Sequence, residues 1–223
     1  MHLELPKVRL ESARDFLKHY LMIVLSILTA LGLEAWIEHA HHQQAARTAS
    51  ARIEAEIRSN LDEVNVALAQ DGQREKILGA LRDRMIADFR EHAPEATIAQ
   101  HVQAMTAHGF NLNLRWPTLR HEAWDVAVAN QSASWIEHER MRRYSAAYAS
   151  QRDMDANLDT NIAVVMNGPR MLDTMTDLRV GDVRPRELLY VTGQMAAMLE
   201  QAQGNLRVLQ GHLREALVDQ PGQ

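Results

Sequence analysis

The densest group of side chains able to do chemistry is Glu38, His39, His41 and His42, in the run IEHAHHQQ. On a helix, His39 and His42 stand three apart and Glu38 and His42 four apart, so imidazole and carboxylate share one face, as metal sites in bundles require. Glu38, His39 and His42 are therefore the candidate metal ligands, and a transition-metal site would need a further ligand from another element. The same histidines would gain charge together below about pH 6.5, which makes a pH-responsive tract the other chemistry on offer. The sequence favours a third reading, a solvated or headgroup-facing stretch, so no metal and no cofactor is expected.

Other pairings fail on spacing. His121-Glu122 and Glu137-His138-Glu139 superficially resemble zinc-protease helices, but neither has a second histidine four positions after the first. There is no Gly-rich phosphate loop, no serine elbow and, without cysteine, no thiol nucleophile. The acid pairs Asp153/Asp155 and Asp173/Asp177 read as solvated helix faces. No catalytic residues are expected, and the chain is expected not to be an enzyme. One aromatic group remains: Tyr144 and Tyr148 at helical spacing, with Trp124 and Trp135, form either core or the lining of an interhelical pocket.

The element that places these groups is an apolar run from Tyr20 to Ile37, interrupted by one charge, Glu34. At ~1.5 Å of rise per residue the stretch from Lys18 to Glu38 covers about 30 Å, the thickness of a bilayer's hydrocarbon core. Phe16, Lys18 and Tyr20 mark one interface and Trp36 the other, where amphipathic side chains prefer the headgroup layer. Glu34 lies one turn from the outer edge and reaches water by snorkelling. Lys7, Arg9, Arg14 and Lys18 precede the run, whereas only Arg47 and Arg52 follow closely. The positive-inside bias then keeps the N-terminus cytoplasmic. The expected division is a cytoplasmic segment 1–19, a transmembrane helix 20–37 and a periplasmic helical bundle 38–223, in a bacterial inner membrane. A cleaved signal peptide is the competing reading. The long polar lead-in and the helical pattern running on past Trp36 argue against it.

Net charge is −5 with both signs interspersed, so no basic face exists for a phosphate backbone and nucleic acid is not an expected partner. Aromatics are 5% of the chain, which leaves Leu, Ile, Val, Ala and Met to build the core. Alternating strand patterns are absent, and the expected fold class is all-α, an N-terminal transmembrane helix continuing into an antiparallel bundle. Ala46, Ala49, Ile53, Ile57, Leu61, Val64 and Leu68 recur at three and four, predicting that the membrane helix continues to about Gln70. Asp71-Gly72 is then expected to break it, with a second helix over 73–92 presenting Leu78, Leu81, Met85 and Phe89. Pro94 bounds that helix, and a shorter one over 95–108 is expected to end at Gly109. After a loop over 109–117, Thr118 is expected to cap a helix to Asn130, and Ser134 with Glu137 forms a capping-box pattern for a helix from Trp135 to Met166. A short helix to Leu178 and a loop over 181–185 follow. The last segment carries a heptad seam, Leu188, Thr192, Met195, Leu199, Ala202, Leu206, Leu209, Leu213 and Ala216, suited to packing along its whole length within the bundle or in a coiled coil between chains.

Two stretches together resemble a family of uncharacterised bacterial single-pass membrane proteins with a periplasmic helical domain. They are the anchor ending in Trp36-Ile37-Glu38, running on to Leu61, and the segment from Trp124 through Ile136, Met141, Tyr144 and Tyr148. The resemblance implies a short N-terminal anchor and a helical domain, and no activity. The expected function is a membrane-tethered scaffold or accessory subunit acting through a protein partner or a second copy of itself. A ligand- or pH-sensing bundle is the alternative.

Overall fold

The computed structural model describes residues 13–107, 110, 115–166, 169–182 and 184–218. Among them the chain is all-α: α1 (Ala13–Arg90), α2 (Glu95–Thr106), α3 (Glu122–Ala129), a 3-10 turn (Ser132–Trp135), α4 (His138–Met166), α5 (Pro169–Val180) and α6 (Pro185–Ala216). The lead-in cations Lys7 and Arg9 and the cap at Gly109 lie outside the described residues.

Helix α1 does not break at Asp71-Gly72; it runs through as one element. A glycine costs a helix only about 1 kcal/mol, and packing overrides that penalty. Asp71 is buried and its carboxylate accepts from Arg74 Nη1 at 2.7 Å and from the Arg115 backbone N–H at 3.0 Å. A Cβ at Gly72 would meet only Gln203 Oε1, at an ordinary contact distance of 3.7 Å, so α6 packs against this turn without requiring a glycine.

Side-chain bonds along α1 give the topology. Asp71, Asn60 and Glu56 bind successively Arg115, Arg120 and Ala123, so the chain after α2 descends antiparallel to α1. Between the first two contacts α1 climbs down about 16 Å while the partner spends only the steps from Arg115 to Arg120, which requires fully extended chain at ~3.3 Å per residue. This segment is accordingly irregular, and the expected cap at Thr118 is absent: α3 opens three residues later, after His121. Glu54, Glu56 and Asn60 then meet Tyr144, Tyr148 and Gln151 in ascending order, which makes α4 parallel to α1. Asn65 meets Gln210 and Glu75 meets Gln203, so α6 descends. The result is an up-down-up-down bundle.

Three apolar clusters stack along it. The first joins Ile53, Ile57 and Val64 of α1 to Tyr144, Tyr148, Leu206, Leu209 and Leu213. The second centres on Leu78, Met195 and Leu199, and the third on Leu81, Met85, Ile98, Val102 and Leu188. Every residue of the expected α6 seam is buried. That seam faces α1 and α4 within the chain, so it is not free for an intermolecular coiled coil.

The part of α1 before the bundle is different. From Asp15 to His41 nearly every side chain is exposed, Leu25 at 66% and Trp36 at 68%, and packing begins only at His42 and Ala45. This helix is long and apolar enough to cross a membrane. Its hydroxyls are satisfied locally: Ser26 donates to the Met22 carbonyl and Thr29 to the Leu25 carbonyl, each at 2.8 Å. Backbone and hydroxyl groups therefore need no water there.

Candidate functional site

The aromatic residues singled out in the sequence divide into two groups. Trp124 stacks on Tyr148 with centroids 5.0 Å apart, and Tyr144 and Tyr148 are buried in the first apolar cluster. Their hydroxyls point at α1, Tyr144 donating to Glu54 Oε1 at 2.8 Å and Tyr148 to Glu56 Oε1. Burial, and then the bond to a carboxylate, push both phenols far above the ordinary tyrosine range, so they stay neutral donors. These three rings are core rather than pocket lining. Trp135 does not join them: it sits on the 3-10 turn, 51% exposed, stacked flat on His42 with centroids 3.6 Å apart and planes 10° apart.

Glu56 is a functional centre of the fold that the sequence reading missed. Its carboxylate accepts the N–H groups of Ala123 at 2.8 Å and Trp124 at 3.4 Å, the second and third residues of α3, whose own preceding residue, His121, supplies no side-chain cap. A residue on α1 thus caps α3 and places a negative charge at its positive end. One turn on, Asn60 grips the Arg120 peptide on both sides: Oδ1 accepts its N–H at 2.9 Å and Nδ2 donates to its carbonyl at 2.7 Å. Gln151 completes the set, accepting from Asn60 Nδ2 at 3.1 Å and donating to the Arg120 carbonyl at 3.1 Å.

The expected capping box also resolves differently. Ser134 bonds to the Gln131 carbonyl inside the 3-10 turn, and Glu137 itself caps α4, accepting from the N–H groups of Glu139 at 2.8 Å and Arg140 at 2.9 Å. Those backbone bonds hold the Glu137 carboxyl below its ordinary range. The later start lets Ile136, in extended conformation, reach the core. Gln131 turns the chain with φ of +63°, and Asn130 Oδ1 accepts from Ser132 N–H at 3.0 Å to close the turn.

Glu38, His39 and His42 remain on one exposed stretch. His42 Nε2 lies 4.0 Å from Glu38 Oε1, and His39 Nε2 lies 2.8 Å from the Gln43 amide nitrogen. No other element brings a further ligand; among the described residues no group of three His, Asp or Glu side chains is placed to hold a metal ion. His41 instead lines a groove of about 330 Å³ between α1 and α3, with Gln44, Thr48, Arg52, Val126 and Asn130.

A second cleft, of about 400 Å³, lies at the far end, between the end of α1 and the start of α6, lined by Phe89, Arg90, His92, Arg186, Leu189 and Tyr190. Arg186 stands over the Phe89 ring at 5.7 Å, and His92 is held at φ of +54° by the turn that ends α1. No carboxylate among the described residues pairs with Arg90 or Arg186, so the cleft offers two guanidinium groups, the His92 imidazole and the Tyr190 hydroxyl over an apolar floor. Nearby, Asp88 is buried; burial raises its carboxyl, but bonds from His101 and Arg84, with their charges, outweigh that and leave it below its ordinary range.

No family model, no curated protein and no solved structure matches this chain.

Proposed function

We propose that the chain is a single-pass membrane protein whose helical domain stands at the outer face of a bacterial inner membrane and works by contact with a protein partner, without catalysis. The observation that carries this reading is α1: an apolar stretch exposed from Phe16 to Ile37 passes without a break into the buried stripe that nucleates the bundle. Leaving its large apolar side chains in water would cost on the order of 20 kcal/mol, more than a domain's whole net stability, whereas lipid removes that cost. Lys18 on the short side and the scarcity of cations just beyond Trp36 support a cytoplasmic N-terminus. The likeness of Trp36–Glu38 and of Trp124 through Tyr148 to uncharacterised single-pass proteins fits the same topology.

Support for a non-catalytic role comes from where the perturbed groups sit. Tyr144, Tyr148, Glu137 and Asp88 are consumed in bonds that hold the fold, His121 and Arg184 pair on the surface with Asp125 and Asp177, Glu122 accepts from the His121 N–H, and none of the seven lines either cleft. Contact surface is available instead on α5 and α6, where Leu172, Val180, Tyr190 and Val208 are exposed at 64%, 72%, 54% and 59%. Membrane extraction with carbonate and protease protection test the topology, and photo-crosslinkers at those four positions test the partner. Release of the intact chain by carbonate, or absence of any specific adduct at all four positions, would remove the corresponding half of the proposal.

One observation favours a second reading, ligand binding: the cationic far-end cleft, whose Arg90, His92 and Arg186 suit an anion with an apolar body. A saturable thermal stabilisation of the full chain by long-chain carboxylates, lost in Arg90→Ala/Arg186→Ala, supports it; no shift at millimolar ligand dismisses it.

A further inference from the structure

Trp135 is a large ring left half in solvent at the anchor end of the bundle, and its position relative to the anchor gives it a purpose. His42, on which it stacks, lies five residues beyond Ile37, or about 7.5 Å of helical rise past the end of the apolar run. Side chains on an α-helix lean toward its N-terminus, here the membrane side, so the His42 ring, and Trp135 against it, lie nearer the bilayer than the His42 backbone does. The headgroup layer extends about 5–8 Å beyond the hydrocarbon core on each face. The stacked pair therefore falls within that layer, where an indole ring is most stable.

The α3-to-α4 turn that carries Trp135 is built rigidly, with Ser132 and Ala133 buried and Ile136 in the core. A rigid turn presents the ring in one place.

We propose that Trp135 is a second membrane-interface anchor, by which the base of the bundle rests on the lipid headgroups beside its own transmembrane helix. Its occupant is the headgroup layer of the bilayer in which α1 is embedded. Two attachments, Trp36 on α1 and Trp135 on the 3-10 turn, hold the domain against rotation in a way one helix cannot. The inference rests on α1 spanning the membrane, and the test separates the two claims.

The full chain is reconstituted in phosphatidylcholine/phosphatidylglycerol vesicles with and without brominated acyl chains. One variant, Trp36→Phe/Trp116→Phe/Trp124→Phe, keeps only Trp135; another, Trp116→Phe/Trp124→Phe/Trp135→Phe, keeps only Trp36. Emission of both falls about twofold in brominated lipid if both rings lie at the interface. Quenching of Trp36 with none of Trp135 overturns the inference and leaves the spanning helix standing; quenching of neither removes both. Because Trp124 packs on Tyr148, a second measurement keeps all four tryptophans. The chain has no cysteine, so Ser134→Cys and, as a far-end reference, Tyr190→Cys each carry a single nitroxide. A higher ratio of oxygen to water-soluble nickel collisions at position 134 than at 190 supports the inference, and equal ratios refute it.

Discussion

Replacing Glu56 with glutamine tests the idea that one side chain on α1 organises the whole α3 side of the bundle. The carboxylate accepts three bonds, from the N–H groups of Ala123 and Trp124 and from the Tyr148 hydroxyl. Glutamine has the same shape but one acceptor oxygen, so its amide N–H₂ must replace either Oε2, facing the Ala123 N–H, or Oε1, facing the Trp124 N–H and the phenol. The loss comprises at least one hydrogen bond to a charged group, worth about 1.5–3 kcal/mol. To this is added the interaction of the charge with a partly buried helix N-terminus, up to about 2 kcal/mol. A net cost near 3 kcal/mol lowers the melting temperature of a domain this size by about 6–12 °C. Tyr148→Phe removes a single bond and should cost about 1–2 kcal/mol. The double variant should lose less than the sum, since both changes break the same bond. Thermal unfolding of the full chain in mild detergent, followed by circular dichroism, reads all three. A Glu56→Gln protein melting within about 2 °C of the parent, or strictly additive losses, would refute the capping argument.

Helix α6 offers the opposite sign. A Cβ at Gly193, Gly204 or Gly211 meets nothing within 4 Å, so each alanine variant should gain about 0.5–1 kcal/mol in urea unfolding; Gly181→Ala, at φ of +80°, should lose stability instead. The Asp88 carboxyl is held below its ordinary value, so its contribution is fully present above about pH 4 and disappears as pH falls through the lowered folded value. Asp88→Asn should therefore flatten the acid limb of a stability-against-pH curve, and an unchanged limb would contradict the geometry. For His121 the sign reverses. The bond to Asp125 at 2.7 Å raises its imidazole above the usual 6.5, so what it contributes is complete below that value and vanishes as pH climbs through the raised one. An NMR titration should place His121 above 6.5 and return it toward that value in Asp125→Asn.

What was legible in the sequence was repetition. The α6 seam and the α1 stripe through Ile53, Ile57 and Val64 are buried as their spacing predicts, because each repeats one local rule over many turns. The exposed apolar run was equally plain. What was not legible depended on partners distant in the chain. Asp71-Gly72 looks like a break locally, yet Arg115, forty-four positions away, satisfies Asp71 within a continuous helix. Glu56 and Asn60 bind the backbone of a segment sixty or more positions on, and backbone carries no sequence signature. A signal did exist: Glu56, Asn60 and Asp71 fall on the inward face of α1 among Ile53, Ile57 and Val64, and polar residues at inward positions call for buried partners. Nothing local in the sequence sets Trp135 apart from Trp124 and the tyrosines; the late start of α4 separates them.

With α1 spanning the membrane as proposed, its unbroken course would make the protein a lever. From Ile37 to Arg90 the helix extends about 80 Å, so a tilt of about 20°, ordinary for a single span, would carry the far cleft some 27 Å sideways over the lipid. Bilayer thickness would then bear on where that tip can reach, and a partner gripping the tip would gain the mechanical advantage to reset the slant of the span.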